Sequence, residues 1–331
     1  MNPESQPDIS VVIVSFNTRA VLQECLETLY RNSAPLLCQV LVVDNASKDG
    51  SADMVAQRFP QVELIRSQIN LGFVAGNNLA FPHARGRYVV LLNSDAFLYP
   101  EALTRSVAHM DAHPEVGLGG GMLVSRDGQL QPSARIFPSL LNDFLTISGL
   151  AAARPKSRFF GRFDRTWADP AVAAPVDWVP GAFVIVRRPL LEQVGYFDEN
   201  MYIYYEEVDL CRRIKAAGHA VWYWPDVQVI HLGGESSKTV KRLSMASSGS
   251  QLTLWRMRSE LLFYRKHHGW AGAWLAMHLE RGWHLLRGWR NQLGPSPVAQ
   301  AKAEESRAIR MLFKQAWSET RGGQVSPLRP W

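Results

Sequence analysis

An alternation at the start of this chain limits its fold more than any other feature: short β-branched runs take turns with stretches of helical spacing. Ile9–Ser15 (ISVVIVS) is an unbroken apolar run, as expected of a strand buried on both faces. Leu22, Leu26 and Leu29 then recur at helical spacing between Arg19 and Asn32. Strands are expected over Gln39–Val43, Val62–Arg66 and Tyr88–Leu92, and helices over Ser51–Phe59, Leu79–Ala84 and Glu101–His113. The pattern predicts an α/β fold with a Rossmann-like, mostly parallel sheet flanked by helices. Ligands of such sheets bind beyond the carboxyl ends of the strands, where Asp44, Asn45 and Asp95 stand.

Residues 125–175 carry Arg, Phe, Pro and Ala without periodicity and read as a mobile loop region. Strand character returns over Val176–Arg188, followed by a short helix at Leu190–Val194 and a longer one at Glu206–Ala217, closed by Gly218. His219–Trp224 and Val227–His231 are the last expected strands. A polar, Ser-rich linker (Ser236–Ser250) precedes a segment that looks helical to about Leu293. The expected division is a principal domain over 1–237 and a basic, Trp-rich helical extension over 238–331.

The net charge of +6 is uneven. From Gln251 onward there are 13 Lys/Arg against 5 Asp/Glu, a surplus of 8, so residues 1–250 sum to −2. Such a tail suits either an anionic surface or a solvated basic helix. Nucleic-acid binding is not expected, because the surplus is confined to the tail. Trp255, Trp270, Trp274, Trp283 and Trp289 alternate with Arg, Lys and His, which fits an interfacial helix on anionic headgroups or a cap packed on the principal domain. Cys25, Cys38 and Cys211 are scattered and odd in number, pointing to a reducing compartment and no structural zinc. The first ten residues lack the basic flank and apolar core of a secretory signal, and no apolar run reaches the roughly 18 residues that span a bilayer. The expected location is cytoplasmic, at most peripheral on the inner face of the cell membrane.

Four constellations and one histidine carry candidate chemistry. Asp44-Asn45-Ala46-Ser47-Lys48-Asp49-Gly50-Ser51 follows a strand; it is either a base- or ribose-binding turn or an ordinary β-to-α turn. Asn70–Asn78, with Gly72, Gly76 and Asn77, fits a loop approaching a ligand or a loop-helix junction, and it is neither GxGxxG nor a P-loop. Asn93-Ser94-Asp95 ends a strand with oxygen ligands suited to a hard divalent cation, although an Asx-turn has the same composition. Glu206-Glu207-Val208-Asp209 crowds three carboxylates beside Tyr202, Tyr204 and Tyr205. Mutual repulsion there raises pKa values, while a first helical turn favours acids in any case. His231, at a strand end before Leu-Gly-Gly, is either a structural histidine or a metal partner for Asp95.

Taken in order, VVIVSFNT, VVDNASKDGS, NLGFVAGNN, LLNSDA, VPGAFVIVRR, GYFDENMYIYYEEVDLCRRIKAAG and WPDVQVIHLGGES resemble family-2 glycosyltransferases of the GT-A fold. Bacterial rhamnosyltransferases are the nearest in pattern, and the strings span most of residues 9–237. The resemblance implies that Ser15, Asn17, Asp44 and Asn45 line a nucleotide pocket, with Gly72, Asn77, Asn93 and Ser94 nearby. By the same resemblance Asp95 would take the last place of the family's DxD-type metal motif, with Asn93 where a first Asp is usual, and His231 matches the histidine that completes the metal site in some relatives. Gly181 and Ala182 would, by the resemblance, sit near the acceptor. In the acidic pair, Glu207 falls at the base position, beside Glu206 and with Asp209 as the later acid. The usual Asp is here a Glu, one methylene longer, so either the backbone retreats or Asp209 takes more of the role; Glu207 is favoured.

The implied reaction is inverting transfer of a sugar from a dTDP- or UDP-linked donor, with Mg²⁺ or Mn²⁺. The best match is L-rhamnose, moved to a hydroxyl of a glycan or polyprenyl-diphosphate-glycan acceptor. Two other readings compete: a non-catalytic carbohydrate-binding or scaffold protein with a degenerate site, and a sugar-phosphate nucleotidyltransferase. The second wants a Gly-rich, basic loop after the first strand, where Ser15-Phe16-Asn17-Thr18 stands instead.

Overall fold

In the computed structural model, which describes residues 6–233 and 249–327, the first half of the chain folds as strand and helix in turn. The order is β1 (Ile9–Ser15), α1 (Arg19–Arg31), β2 (Cys38–Asp44), α2 (Ser51–Arg58), β3 (Glu63–Arg66), α3 (Gly72–Ala80), β4 (Tyr88–Leu92), β5 (Ala96–Leu98), α4 (Ala102–Ala112) and β6 (Val116–Val124). The second half adds α5 (Leu140–Ile147), α6 (Leu150–Ala153), β7 (Ala174–Val176), β8 (Phe183–Arg187), α7 (Arg188–Val194), α8 (Glu206–Ala216) and β9 (Ala220–His231). Two long helices follow, α9 (Gly249–Gln292) and α10 (Pro297–Glu319).

One sheet holds the strands in the order β3-β2-β1-β4-β8-β6-β9-β5, with β7 paired to β9. From β3 to β4 it is parallel throughout. Past β4 it is mixed: β8 runs antiparallel to β4 and β6, β6 is parallel to β9, and β9 is antiparallel to β5 and β7. Burial patterning shows that a segment is a strand but not which way it runs, so the reversal at β8 was not readable.

The sheet is buried on both faces. On one side Leu22, Leu26 and Leu29 of α1 and Leu103 and Val107 of α4 pack on alternate strand residues. On the other side Val74 of α3, Ile214 of α8 and Phe263 and Ala273 of α9 do the same. The C-terminal helices therefore share the sheet's own core. They also pair with each other through Met257, Leu261, Met277, Phe313 and Ala316.

Several sequence expectations are corrected. Of the two readings of the asparagine-rich segment 70–78, a ligand loop or a loop-helix junction, the structure shows the junction: it is helical from Gly72 onward, with Gly76 packed on Val14 of β1. The strand at β6 (VGLGGGMLV) escaped notice because its glycines hide the pattern; a Cβ at Gly119 would lie 1.9 Å from the Trp224 ring. The last two expected strands are one, β9, whose register with β6 shifts opposite Gly121/Met122, close to Pro225. Residues 125–175 are not a free loop: α5 is capped by Ser139, Trp178 Nε1 donates to the Ile136 carbonyl at 2.8 Å, and Arg135 pairs with Asp164 at 2.9 Å. The Ser-rich stretch Ser236–Ser250, and with it the 237/238 boundary, lies outside the described residues apart from its last two positions. Among the described residues no helix is long and apolar enough to cross a membrane.

Candidate active site

β2 and β4 flank β1 on opposite sides, so the carboxyl ends of these strands open the crevice that doubly wound sheets use for ligands. Ser15 and Asp44 are register partners at that edge. The Ser15 hydroxyl lies 2.8 Å from Thr18 Oγ1, which donates to Ser94 Oγ at 3.3 Å, giving a buried line of three hydroxyls. Thr18 was not singled out in the sequence, where nothing marks it. Asn17, at φ 51°, donates its N–H to Ser47 Oγ at 3.0 Å and accepts the Lys48 N–H at 2.7 Å. Asp44 accepts the Ser47 N–H at 3.1 Å through Oδ2, while its buried Oδ1 has no partner.

Other polar residues of this region are consumed by the fold. Asn45 accepts the Leu71 N–H at 2.7 Å and donates to Asn70 Oδ1 at 2.9 Å and to the Gly72 carbonyl at 3.1 Å. Asn77 donates to the Phe73 carbonyl within α3. Gly72, at φ 78°, sits where a Cβ would lie 2.3 Å from the Tyr202 ring. Asn45, Gly72 and Asn77 are thus engaged in packing and internal hydrogen bonds. Asp49 holds two helix starts at once, accepting the Arg19 N–H at 2.8 Å and the Ser51 N–H at 3.0 Å.

Beyond β4 the chain turns through Asn93 and Ser94 to Asp95, and β5 then pairs antiparallel with β9, Ala96 opposite His231. This register brings His231 Nε2 to 3.7 Å from Asp95 Oδ1 and 3.5 Å from Asn93 Nδ2. Gln131 fixes the imidazole: its amide donates to the His231 carbonyl at 2.8 Å, so its Oε1 faces Nδ1 at 3.1 Å. An amide oxygen only accepts, so Nδ1 carries the hydrogen and the Nε2 lone pair points toward Asp95. Burial lowers the His231 pKa against the pull of Asp95, which favours this neutral ring. Asn93 Oδ1 is buried without a partner. Gln131 was another residue that no sequence signal identified.

Asn93 also leads to the acidic turn. Its N–H donates to the Ala182 carbonyl at 3.0 Å, and a Cβ on neighbouring Gly181 would lie 3.8 Å from Glu207 Cβ. Glu206 and Glu207 open α8, and Tyr204 and Tyr205 before them both adopt left-handed backbone, φ 69° and 68°. Two such non-glycine residues in succession persist only where surroundings hold them. Here α9 does so: Ser259 Oγ donates to the Ile203 carbonyl at 2.8 Å, Trp255 packs on Tyr202 and Phe263 on Tyr205.

Burial raises the pKa of both glutamates, Glu206 further because Glu207 repels it. The Gly181 N–H and the Arg135 guanidinium work the other way on Glu207. Each glutamate keeps a buried Oε2 without a partner. Arg135 stood in a segment read as loop, so its proximity to Glu207 went unforeseen.

Asp209 is placed differently from its two acidic neighbours. Its fully buried carboxylate is held by Arg213 Nε at 2.8 Å, Lys266 Nζ at 2.8 Å and His267 Nε2 at 2.7 Å, and these partners outweigh burial and lower its pKa. Asp209, expected to share the acid-base work, has both oxygens engaged and ties α8 to α9. Among the described residues no group of three or more His, Cys, Asp or Glu forms a closed metal cage. Asp95 and His231 form a two-residue face instead.

Residues 10–166 match the model of glycosyl transferase family 2. The N-acetylglucosaminyl-diphospho-decaprenol L-rhamnosyltransferase of Mycobacterium tuberculosis is 27% identical over 274 residues, covering 79% of this chain and 86% of that protein. Rhamnosyltransferase WbbL of Escherichia coli is 24% identical, covering 70% of this chain and 86% of its own length. In fold the chain is similar to the mannosyltransferase PcManGT from Pyrobaculum calidifontis, solved with GDP-Man and Mn²⁺, at TM-score 0.56 and 18% identity over 96% of this chain and 89% of that one.

Proposed function

We infer, from the premise that this chain is a family-2 glycosyltransferase resembling rhamnosyltransferases, that it transfers L-rhamnose from dTDP-rhamnose to a hydroxyl of a cell-surface glycan precursor carried on polyprenyl diphosphate. The observation that carries the reading is adjacency: His231 lies 3.7 Å from Asp95, and Asn93, in the same turn, donates to the Ala182 carbonyl beside Gly181, which faces Glu207. The rhamnosyl donor and lipid-linked acceptor are the chemistry named for the Mycobacterium relative.

The free polar atoms fit a donor. The Asp44 Oδ1 at the end of β2 suits a hydroxyl or N–H of the nucleoside, and the Ser15–Thr18–Ser94 hydroxyls lie between it and Asp95. Asp95, the Nε2 lone pair of His231 and the unpartnered Asn93 Oδ1 make an oxygen-and-nitrogen face suited to Mg²⁺ or Mn²⁺. A cation held there would neutralise charge on the departing nucleoside diphosphate.

Glu207 supplies the acid-base step. Its spare Oε2 accepts the proton of the acceptor hydroxyl as that oxygen attacks the anomeric carbon. The diphosphate leaves from the opposite face, and the configuration inverts. The raised pKa brings the carboxylate nearer to the working pH, which improves it as a base. Glu206, more deeply buried, keeps the turn acid-rich, and Asp209 positions α8 against α9.

The test is transfer to N-acetylglucosaminyl-diphospho-polyprenol with dTDP-rhamnose, UDP-glucose and GDP-mannose as competing donors, with and without EDTA. Metal-dependent rhamnosyl transfer supports the reading. Transfer of another sugar replaces the donor assignment, and undiminished transfer in EDTA removes the cation.

A further inference from the structure

Helix α9 changes character at Gly269, where φ 70° and ψ −173° break the helical path. Before the kink, its apolar residues are core: Trp255, Phe263 and Tyr264 are buried. After it, Ala273, Ala276, Met277, Glu280 and His284 face inward, and large apolar side chains face out. Trp270, Leu286, Trp289 and Leu293 are 55%, 62%, 64% and 71% exposed, with Trp274 and Leu285 on the same outer face. Trp274, His278, Gly282, Leu285, Trp289 and Leu293 recur every three or four residues, so this is one continuous stripe. Trp270, Trp274 and His278 stack successively along its start. An exposed apolar stripe of this length is unusual on a surface that meets only water.

Charge around the stripe is one-sided. Between 270 and 293 the only acid is Glu280, which is buried. Arg287 turns to Glu305 of α10, whereas Arg281 and Arg290 have no carboxylate partner among the described residues. Two copies of this face set against each other would bring the same unpaired arginines together. An anionic headgroup layer would instead receive them, with Trp at the interface and Leu in the acyl boundary.

We propose that the outer face of α9 beyond Gly269 is a docking surface for an anionic lipid bilayer. The helix lies along the surface, and its first half, continuous across the kink, holds the Tyr202–Glu207 turn through Trp255 and Ser259. This inference stands apart from the transfer reading, because it concerns binding alone.

The experiment is flotation of the full chain with vesicles of phosphatidylglycerol and phosphatidylethanolamine, against pure phosphatidylcholine. The wild type floats with the anionic vesicles. L286S/W289S, at two exposed positions, loses about tenfold in bound fraction, and R281Q/R290Q narrows the preference for anionic over neutral vesicles. Unchanged thermal unfolding shows that both variants fold. Absence of wild-type flotation overturns the proposal, as does equal flotation by both variants. So does a wild-type dimer in light scattering that L286S/W289S dissolves without any vesicle binding.

Discussion

The backbone N–H of Asn93 donates to the carbonyl of Ala182 at 3.0 Å, and that bond joins the two halves of the site. Asn93 belongs to the turn that ends in Asp95; Ala182 follows the glycine that faces Glu207. The side proposed to hold the diphosphate and the side proposed to hold the base thus meet at one antiparallel junction, β4 with β8.

The first consequence is a pH profile. Burial lifts the Glu207 carboxyl above its ordinary value of 4.5. A base must be ionised to act, so kcat/KM rises with pH through an inflection displaced upward from that value. Steady-state transfer measured across the acidic range checks this. An inflection at the ordinary glutamate value would mean that Glu207 sits in a wet, unperturbed setting.

Asp209 predicts a stability effect. Replacing it with Asn leaves Arg213 and Lys266 facing a neutral group in the α8–α9 interface. The cost expected is about 3 kcal/mol, at the low end for removing one partner of a buried pair because Lys266 keeps solvent contact. Urea unfolding measures it. A D209N protein as stable as the wild type would show that the carboxylate is not the anchor described.

A second buried acidic group lies where α5 meets α9. Asp143, which accepts the Tyr264 hydroxyl, is pushed by burial from 3.8 up to about 6, and Glu280 by burial from 4.5 to about 7. The folded chain holds these protons more tightly than the unfolded chain does. Their contribution to stability is therefore full below the unfolded values and is lost as pH rises through about 6 and 7. Unfolding midpoints across this window should fall less steeply in D143N than in the wild type. Parallel slopes would contradict the assignment.

The legible parts of the sequence were those with a local physical signature. Ile9–Ser15 and Tyr88–Leu92 announce themselves as strands because all their side chains but the half-buried Val14 are buried. The candidate carboxylates Asp44, Asp95, Glu206 and Glu207 stand out in the sequence because they follow strands or open a helix. What remained hidden depends on partners far along the chain. Asp209 looks like its neighbours until Lys266 and His267 arrive from α9. Gln131 is an ordinary glutamine until β9 presents His231 to it. The Tyr202 ring against Gly72 is likewise invisible from the local sequence. The exposed stripe on α9 shares its Trp and Leu composition with the buried half of that helix, so only burial separates the two.

In the proposed reaction Glu207 removes the proton from the acceptor while the strand-end residues hold the donor. E207Q keeps the shape of the turn but cannot accept a proton. The measurement is dTDP-rhamnose affinity by calorimetry beside single-turnover transfer, for E207Q and the wild type. Donor affinity is expected to be unchanged, with transfer slowed by a factor on the order of 10³. Near-normal transfer by E207Q would contradict it.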